Sequence, residues 1–259
     1  MANRHHVLEH NRRAWDRLVQ RGNPWTIPVG KEEIIAARAG EPSIYLTETR
    51  PVPVSWFPPL KGADVLCLAS GGGQQGPLMA ATGARVTVLD NSPYQLAQDR
   101  AVAARDALNL QTVLGDMADL SMFDSGVFDL ILHPVSNNFV PDILPVWREA
   151  FRVLRQGGEL FAGFVNPVEY CFDPEKEQKG VYVIRHSLPY SDCNSIREAE
   201  RIRLFGEDEP LEFSHTLESQ IGGQLQAGFM LIDLFEDYRR EEPIKDYMPS
   251  YLVTRARKP

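Results

Sequence analysis

The stretch ADVLCLASGGGQQG, residues 63–76, decides the fold. Its first seven residues are almost continuously apolar, which is typical of a short strand that is buried on both faces of a sheet. Ser70 and three consecutive glycines follow at once, and residues 75–82 are predicted to form a helix. A buried strand that ends in a glycine turn before a helix indicates the first β-α unit of a parallel sheet.

The same alternation of strand and helix continues to residue 164. A helix is predicted over 92–107, where Ser92 can cap the first turn, Pro93 takes its first position and Gln95 completes a capping box. Parallel strands that are joined by right-handed helical crossovers predict an open, Rossmann-like α/β sheet with helices on both faces. The other predicted elements are strands at 85–90, 111–114, 127–132 and 159–164 and a helix at 142–154.

Two segments lie outside this alternation. Residues 1–61 are predicted to form a helical leader, with an amphipathic helix at 3–21 and a proline-rich remainder that contains a short helix at 31–39. Residues 62–259 are predicted to form the main domain, in which the segment at about 166–212 has mixed charge and four prolines and is predicted to be an insertion on the substrate side. The elements predicted after it are a helix near 214–227 and two strands, near 229–236 and 249–256, that pair as an antiparallel edge hairpin.

The composition excludes several classes of protein. Among 259 residues, Lys and Arg number 27 and Asp and Glu 35, for a net charge of −8. Nucleic acids and anionic membranes attract clustered positive charge, so neither is expected as a partner. The three cysteines form no C-x-x-C pair, and no metal site is expected. The chain begins without an apolar signal segment, and a cytoplasmic protein is predicted. The sequence leaves the oligomeric state open.

The glycine turn and a downstream aspartate form the strongest candidate site. Gly71, Gly73 and Gly76 match G-x-G-x-x-G between a strand and a helix, where main-chain amides and the positive end of the helix can approach a ligand closely. Asp90 ends the next strand, nineteen residues after Gly71. From that position a carboxylate binds the hydroxyls of a ribose. The pair predicts a ribose-bearing cofactor, either a nicotinamide dinucleotide or S-adenosylmethionine.

Two observations favour S-adenosylmethionine. Asp116 and Met117 follow the third strand, which would place a carboxylate near the adenine amino group and an apolar side chain against the adenine ring. A reductase also needs a proton donor, commonly Tyr with Lys four residues later, and no Y-x-x-x-K occurs in the chain. A P-loop and a G-x-S-x-G nucleophile turn are absent as well.

Five segments, in this order, resemble the motifs of the class I S-adenosylmethionine-dependent methyltransferases: VLCLASGGGQQGP, VTVLDNSP, GDMADL, FDLILHPVSNNFV and EAFRVLRQGGELFAGF. The resemblance covers about residues 64–164 and implies a seven-stranded sheet whose last strand is antiparallel. The family usually has an acidic residue before G-x-G, so its contact to the amino group of the cofactor is missing here or comes from elsewhere. The implied cofactor-binding residues are Ala69, Ser70, Gly71, Gly73, Asp90, Asn91, Asp116, Met117 and His133.

The acceptor of the methyl group is expected at the carboxyl end of the fourth strand. His133 is a candidate general base there, because the unperturbed pKa of histidine lies near neutrality; alternatively it shapes the pocket through main-chain hydrogen bonds. His215, at the start of the helix near 214–227, is the second candidate base. Asn137 can orient the acceptor or cap the next helix. The predicted acceptor-binding residues are Trp25, Asn137, Asn138, Tyr170 and Phe213.

The leader has two interpretations. Trp15, Trp25 and Tyr45 would cover the donor and acceptor as a lid, or the leader helix packs on the sheet edge as an ordinary helix.

The sequence thus predicts methyl transfer to an oxygen, nitrogen or sulfur atom of a small molecule. The sequence LHPV at residues 132–135 departs from the [DNS]-P-P-[FY] motif of the family branches that methylate nucleic-acid amino groups, which favours a metabolite. A catalytically silent protein that senses S-adenosylmethionine is the alternative, and a nicotinamide oxidoreductase is the third possibility.

Overall fold

One seven-stranded sheet organises the structure, a computed structural model that describes residues 4–259. The strands are β1 (Asp64–Leu68), β2 (Arg85–Asp90), β3 (Leu110–Leu114), β4 (Phe128–His133), β5 (Leu154–Val165), β6 (Met230–Asp237) and β7 (Tyr251–Arg257). They lie in the order β3-β2-β1-β4-β5-β7-β6. Pairing is parallel from β3 to β5, and β7 is antiparallel to both of its neighbours. The predicted fold class is confirmed.

Helices cover both faces of this sheet. Within residues 4–259 they are α1 (Arg4–Arg21), α2 (Lys31–Arg38), α3 (Gln75–Ala81), α4 (Pro93–Asp106), α5 (Leu144–Val153), α6 (Pro174–Glu177), α7 (Glu198–Phe205) and α8 (Gly223–Ala227). Buried side chains of α2, α3 and α4 pack on one face, and those of α5 pack on the other. The short helices α6 and α7 belong to the predicted insertion, 166–212.

The candidate site lies where the strand order changes direction. After β1 the chain adds β2 and β3 on one side of it, and β4 and β5 lie on the other side. In open α/β sheets, ligands bind in the crevice beyond the carboxyl ends of the strands at such a point. The parallel register places Gly71, Asp90 and His133 together at this edge, at or just beyond the ends of β1, β2 and β4.

The elements near the C-terminus follow the prediction in part. The last two strands pair antiparallel as a hairpin at one edge of the sheet, as predicted, with β7 between β5 and β6 and β6 outermost. The apolar residues Leu252 and Val253 of β7 are buried on opposite faces of the sheet, as an interior strand requires. The helix predicted near 214–227 begins later, because the Ser219 amide donates to Thr216 Oγ1 at 3.1 Å and so caps the segment there. One π-helical turn, Glu218–Gly222, precedes α8.

Part of the leader belongs to the core. Ile34 and Ala37 of α2 are buried against β1, β2 and α3. Trp56 packs edge-on against Phe161 of β5, with ring centroids 5.5 Å apart, and its indole N–H donates to Asp233 at 3.0 Å. Within the described part of the leader, residues 4 to about 28 lie outside this cluster and over the carboxyl ends of the strands.

Candidate active site

The glycine turn and Asp90 are joined by hydrogen bonds. The Gly71 amide donates to Asp90 Oδ2 and the Ser92 amide donates to Oδ1, each at 2.9 Å. A Cβ on Gly71 would lie 2.7 Å from Gln95 Cβ and 2.9 Å from Asp90 Cγ, so only glycine fits. Burial raises the pKa of Asp90 to about 6. The turn at the end of β1 and the carboxylate at the end of β2 therefore form one unit.

A second aspartate, which the sequence analysis missed, lies beneath the turn. Asp99 is on the inner face of α4, fully buried, and the Gly72 amide donates to its Oδ2 at 3.1 Å. Burial raises the pKa of Asp99 to about 8. Asp99 Oδ1 and Gln95 Oε1 are buried without a hydrogen-bond partner. The signal for Asp99 was its spacing of four residues from Gln95, which puts both on the same helix face.

Ala69 and Ser70 stabilise the end of β1. Ala69 has a φ of +48°, a left-handed conformation that is uncommon outside glycine. Ser70 Oγ donates to Gln75 Oε1 at 3.0 Å, and the Gln75 amide group donates to the Tyr45 carbonyl at 2.7 Å. These contacts link the turn to the leader, and the carboxylate that the family usually has before G-x-G is absent from these two positions.

Helix α1 crosses the ends of β2 and β3 and contacts the predicted adenosine residues. Arg4 forms an ion pair with Asp116 at 2.7 Å, and the Asn91 side-chain amide donates to the Leu8 carbonyl at 2.8 Å. Met117, beside Asp116, is partly buried. Thus the structure brings Asp90, Asn91, Asp116 and Met117 to one edge of the sheet, with α1 over them.

The rest of the leader covers the glycine turn. The Gln74 side chain donates to the carbonyls of Trp25 and Ile27 at 3.3 and 3.0 Å, and the Val29 amide donates to the Gly73 carbonyl at 3.0 Å. The Trp25 side chain itself is 51% exposed. Farther along the same edge, Trp15 contacts Phe139 edge-on, with ring centroids 5.1 Å apart.

The two candidate bases belong to a buried hydrogen-bond network around Asn137. His133 is fully buried, with Nδ1 2.9 Å from the Leu68 carbonyl and Nε2 2.6 Å from the Asn137 side-chain oxygen. His215 Nε2 lies 2.8 Å from the Asn137 carbonyl, and Asn137 Nδ2 donates to Gln220 at 2.8 Å. Burial lowers the pKa of both histidines. The geometry favours the positioning role for His133 over the role of base, because both of its ring nitrogens are engaged.

A cavity of about 580 Å³ opens beyond the end of β5, and we call it the insertion cavity. Of the predicted acceptor residues, Tyr170 lines it, donates its hydroxyl to Glu212 at 2.6 Å and stacks on Tyr190. Asn138 lies beside both Tyr170 and Glu212. Phe213, by contrast, packs in a small buried cluster against α1. The walls of the cavity come from residues between 165 and 212, with Arg239 and Glu242.

Within residues 4–259, no group of three or more His, Cys, Asp or Glu side chains has a metal-binding arrangement. Of the helices in that part of the chain, none combines the length and apolar character that spanning a bilayer requires.

Comparison with known proteins identifies the family. A family model described as a methyltransferase domain matches residues 66–162. The chain is 50% identical over 250 residues to the uncharacterized methyltransferase YbaJ of Bacillus subtilis (strain 168), a match that covers 96% of this chain and 98% of the relative. The chain belongs to the class I S-adenosylmethionine-dependent methyltransferases. This methyltransferase is also 30% identical over 113 residues to the ubiquinone biosynthesis O-methyltransferase of Xanthomonas oryzae pv. oryzae, which covers 44% of this chain and 47% of the relative.

Solved structures share the fold of the methyltransferase. One is the Burkholderia thailandensis 1,6-didemethyltoxoflavin-N1-methyltransferase, crystallised with 1,6-didemethyltoxoflavin and S-adenosylhomocysteine. It aligns with a TM-score of 0.60 and 17% identity over 100% of this chain and 91% of that chain. A putative S-adenosylmethionine-dependent methyltransferase from Listeria monocytogenes also gives a TM-score of 0.60 and 17% identity, over 79% of this chain and 95% of that chain. The sheet predicted from the sequence is therefore the sheet of the family.

Proposed function

We propose that this methyltransferase methylates a small molecule that binds in the insertion cavity, with S-adenosylmethionine held along the carboxyl ends of β1, β2 and β3. When bound, the cofactor supplies a methyl group on a positively charged sulfur, and an attacking lone pair of the acceptor takes the methyl carbon while the C–S electron pair stays on sulfur. The protein then has three tasks: it aligns the acceptor, excludes water and accepts one proton if the acceptor carries it.

The cofactor would be held mainly by groups at the edge of the sheet. Asp90 would accept hydrogen bonds from the ribose hydroxyls, and the Gly71–Gly73 turn allows the main chain to approach the ligand without a Cβ. Asp116 would accept from the adenine amino group, with Met117 against the ring and Asn91 beside the adenosine. Gln95 Oε1 is buried beside Gly72 without a hydrogen-bond partner, so it is available to accept a hydrogen bond from a ligand at this turn. The proposed set of cofactor-binding residues also includes Ala69 and Ser70, through main-chain contacts, and His133, which shapes the pocket.

The leader would exclude water from the reaction. Helix α1 lies over Asp90, Asn91 and Asp116, and the segment around Trp25 lies over the glycine turn. Arg17 and Arg21 of α1 also form ion pairs with Asp208 in the insertion, the first at 2.7 Å. Leader and insertion thus contact each other across the site, and this supports the interpretation of α1 as a lid.

The Asp90 carboxylate at the glycine turn carries the proposal, and calorimetry tests it. We expect S-adenosylhomocysteine to bind the wild-type protein and NAD not to bind. Replacing Asp90→Ala should weaken S-adenosylhomocysteine binding by at least about tenfold, since two hydrogen bonds to a charged group are lost. The control is Asp124→Ala, an exposed aspartate in the turn before β4. Equal affinity in the wild type and Asp90→Ala would refute the proposed cofactor site.

The burial of both candidate bases favours one second function, a protein that binds S-adenosylmethionine without turnover. A methyl-release assay over a panel of metabolites separates the two functions. Transfer that survives both His133→Ala and His215→Ala would show that neither histidine acts as a base. Cofactor binding without transfer to any compound of a broad panel would favour the sensor.

A further inference from the structure

We propose that the acceptor molecule carries a cationic nitrogen, a protonated amine or a quaternary ammonium group, and that the insertion cavity binds this charge. The proposal rests on the proposed function above, and it specifies the class of substrate for the same site. The charge anchors the acceptor, whichever of its atoms receives the methyl group.

The first observation is the charge of the walls. The insertion cavity is lined by six carboxylates against one guanidinium, that of Arg239. Arg239 forms ion pairs with Glu169 at 2.9 Å and Glu242 at 3.5 Å. Glu209 is also paired, with Arg21 of α1 at 3.1 Å. The remaining excess of negative charge is relieved by protonation or by a bound cation, because like charges in a half-enclosed cavity repel one another. The six carboxylates are those of Glu169, Glu177, Asp192, Glu209, Glu212 and Glu242.

The second observation is that three of these carboxylates lack a cationic partner. Within the part of the chain that the structure describes, Glu177, Asp192 and Glu212 form no ion pair. Two of them are held by tyrosine hydroxyls, Glu212 by Tyr170 at 2.6 Å and Asp192 by Tyr190 at 2.7 Å. Burial raises the pKa of all three, that of Glu177 to about 7. A cation in the cavity would return these carboxyl groups to their charged form.

The third observation is an unpartnered oxygen. Glu169 lines the cavity, its side chain is only 7% exposed, and its Oε2 binds Arg239. Its Oε1 is buried and has no hydrogen-bond partner. A buried carboxylate oxygen without a donor is costly, and a bound N–H group or positive charge in the cavity would relieve this cost.

The fourth observation is the aromatic character of the walls. The rings of Tyr170 and Tyr190 are stacked, with centroids 5.7 Å apart and planes 22° from parallel, and Phe172 and Phe205 also line the cavity. Aromatic faces attract cations, and the effect is larger where water is excluded. Carboxylates and aromatic rings together form a site for an organic cation. The carboxylates do not form a metal site within residues 4–259, since no three of them are arranged as ligands.

The test uses three probes of one shape and different charge: phenethylamine, 2-phenylethanol and phenylacetate. Each is titrated by calorimetry into the full-length protein with saturating S-adenosylhomocysteine and EDTA. We expect the amine to bind at least about tenfold more tightly than the alcohol and phenylacetate to bind more weakly than both. Glu177→Gln should lower the affinity for the amine about fivefold or more and leave that for the alcohol unchanged. Glu32→Gln, an exposed site on α2, is the matched control.

The outcomes separate this proposal from the proposed function. If wild-type protein binds S-adenosylhomocysteine but the alcohol binds as tightly as the amine, or no amine binding is seen at millimolar concentration, the cationic acceptor is wrong and the cofactor site stands. If S-adenosylhomocysteine itself does not bind, the proposed function fails first. Glu242→Gln replaces Glu177→Gln if the latter unfolds. Amine binding that Mg²⁺ abolishes in the absence of EDTA would overturn the proposal in favour of a metal site.

Discussion

Asp99 and Asp90 lie beneath and beside the same glycine turn, and burial raises the pKa of both carboxyl groups. For Asp99 the value is about 8, well above that of an unfolded chain. A proton is therefore bound more tightly in the folded state, so the stabilisation that it gives is complete below about pH 4 and is lost as the pH rises toward 8.

We predict that the free energy of unfolding falls with pH in this range, by at most about 1.4 kcal/mol per pH unit from Asp99. Urea denaturation at several pH values between about 5 and 8 measures this slope. Asp99→Asn should flatten it, because asparagine does not titrate. An unchanged slope in Asp99→Asn would mean that Asp99 titrates normally.

Asp90 gives a prediction about the pH dependence of binding. The charged form accepts hydrogen bonds from ribose hydroxyls best, and the pKa of Asp90 is about 6. The affinity for S-adenosylhomocysteine should thus decrease below about pH 6 and be level above about pH 7. Calorimetry over this range checks the curve in wild type and Asp90→Asn, which should lose the dependence. The same pH profile in both proteins would assign it to another group.

At the scale of elements, Asn11 attaches α1 to the rest of the site. It is buried, its Nδ2 donates to the carbonyls of Phe139 and Leu211 at 3.0 and 3.1 Å, and its Oδ1 accepts from the Leu211 amide at 2.7 Å. Three hydrogen bonds thus join the leader to the loop after β4 and to the end of the insertion.

We predict that Asn11→Ala loosens α1, with a loss of about 1–3 kcal/mol in the free energy of unfolding. Methyl transfer should fall and proteolytic cleavage within α1 should become faster, while the α/β core stays folded. Arg13→Ala, an exposed position on the same helix, is the control. Wild-type activity and wild-type proteolysis in Asn11→Ala would contradict a covering role for α1.

The sequence predicted the elements whose signal is local. Apolar runs and the capping residues of α4 gave the strands and helices of the sheet, and the spacing of Gly71 and Asp90 gave the cofactor edge. Asp99 was missed, because its spacing from Gln95 shows only that the two side chains share a helix face and does not show that this face is buried against the glycine turn. The insertion and Tyr170 were predicted on the substrate side, but the charged walls of the insertion cavity were missed for another reason: Glu169 and Arg239 are 70 residues apart and meet only through the pairing of β5 with β7 and of β7 with β6.

At the scale of the whole molecule, the leader consists of two parts that pack differently. Residues 4 to about 28 lie over the candidate site, where we propose that they act as its cover. The following segment contributes Ile34 and Ala37 to the core, where they are 1% and 0% exposed and pack with Leu78 and Met79 of α3. The predicted leader, residues 1–61, therefore combines a segment over the site with a segment that packs in the core. Deletions of different length should distinguish the contributions of the two segments.

Removing residues 1–22 should leave a protein that unfolds cooperatively and has lost methyl transfer, because the core keeps its packing and the cover is gone. Removing residues 1–40 should abolish cooperative unfolding, since loss of a buried isoleucine alone costs about 2–5 kcal/mol, a large share of the stability of a domain. Thermal melts followed by circular dichroism compare the two deletions. If both melt alike and only activity is lost, the whole leader is a cover and its packing contributes little to the fold; if the shorter deletion remains active, α1 is not the lid.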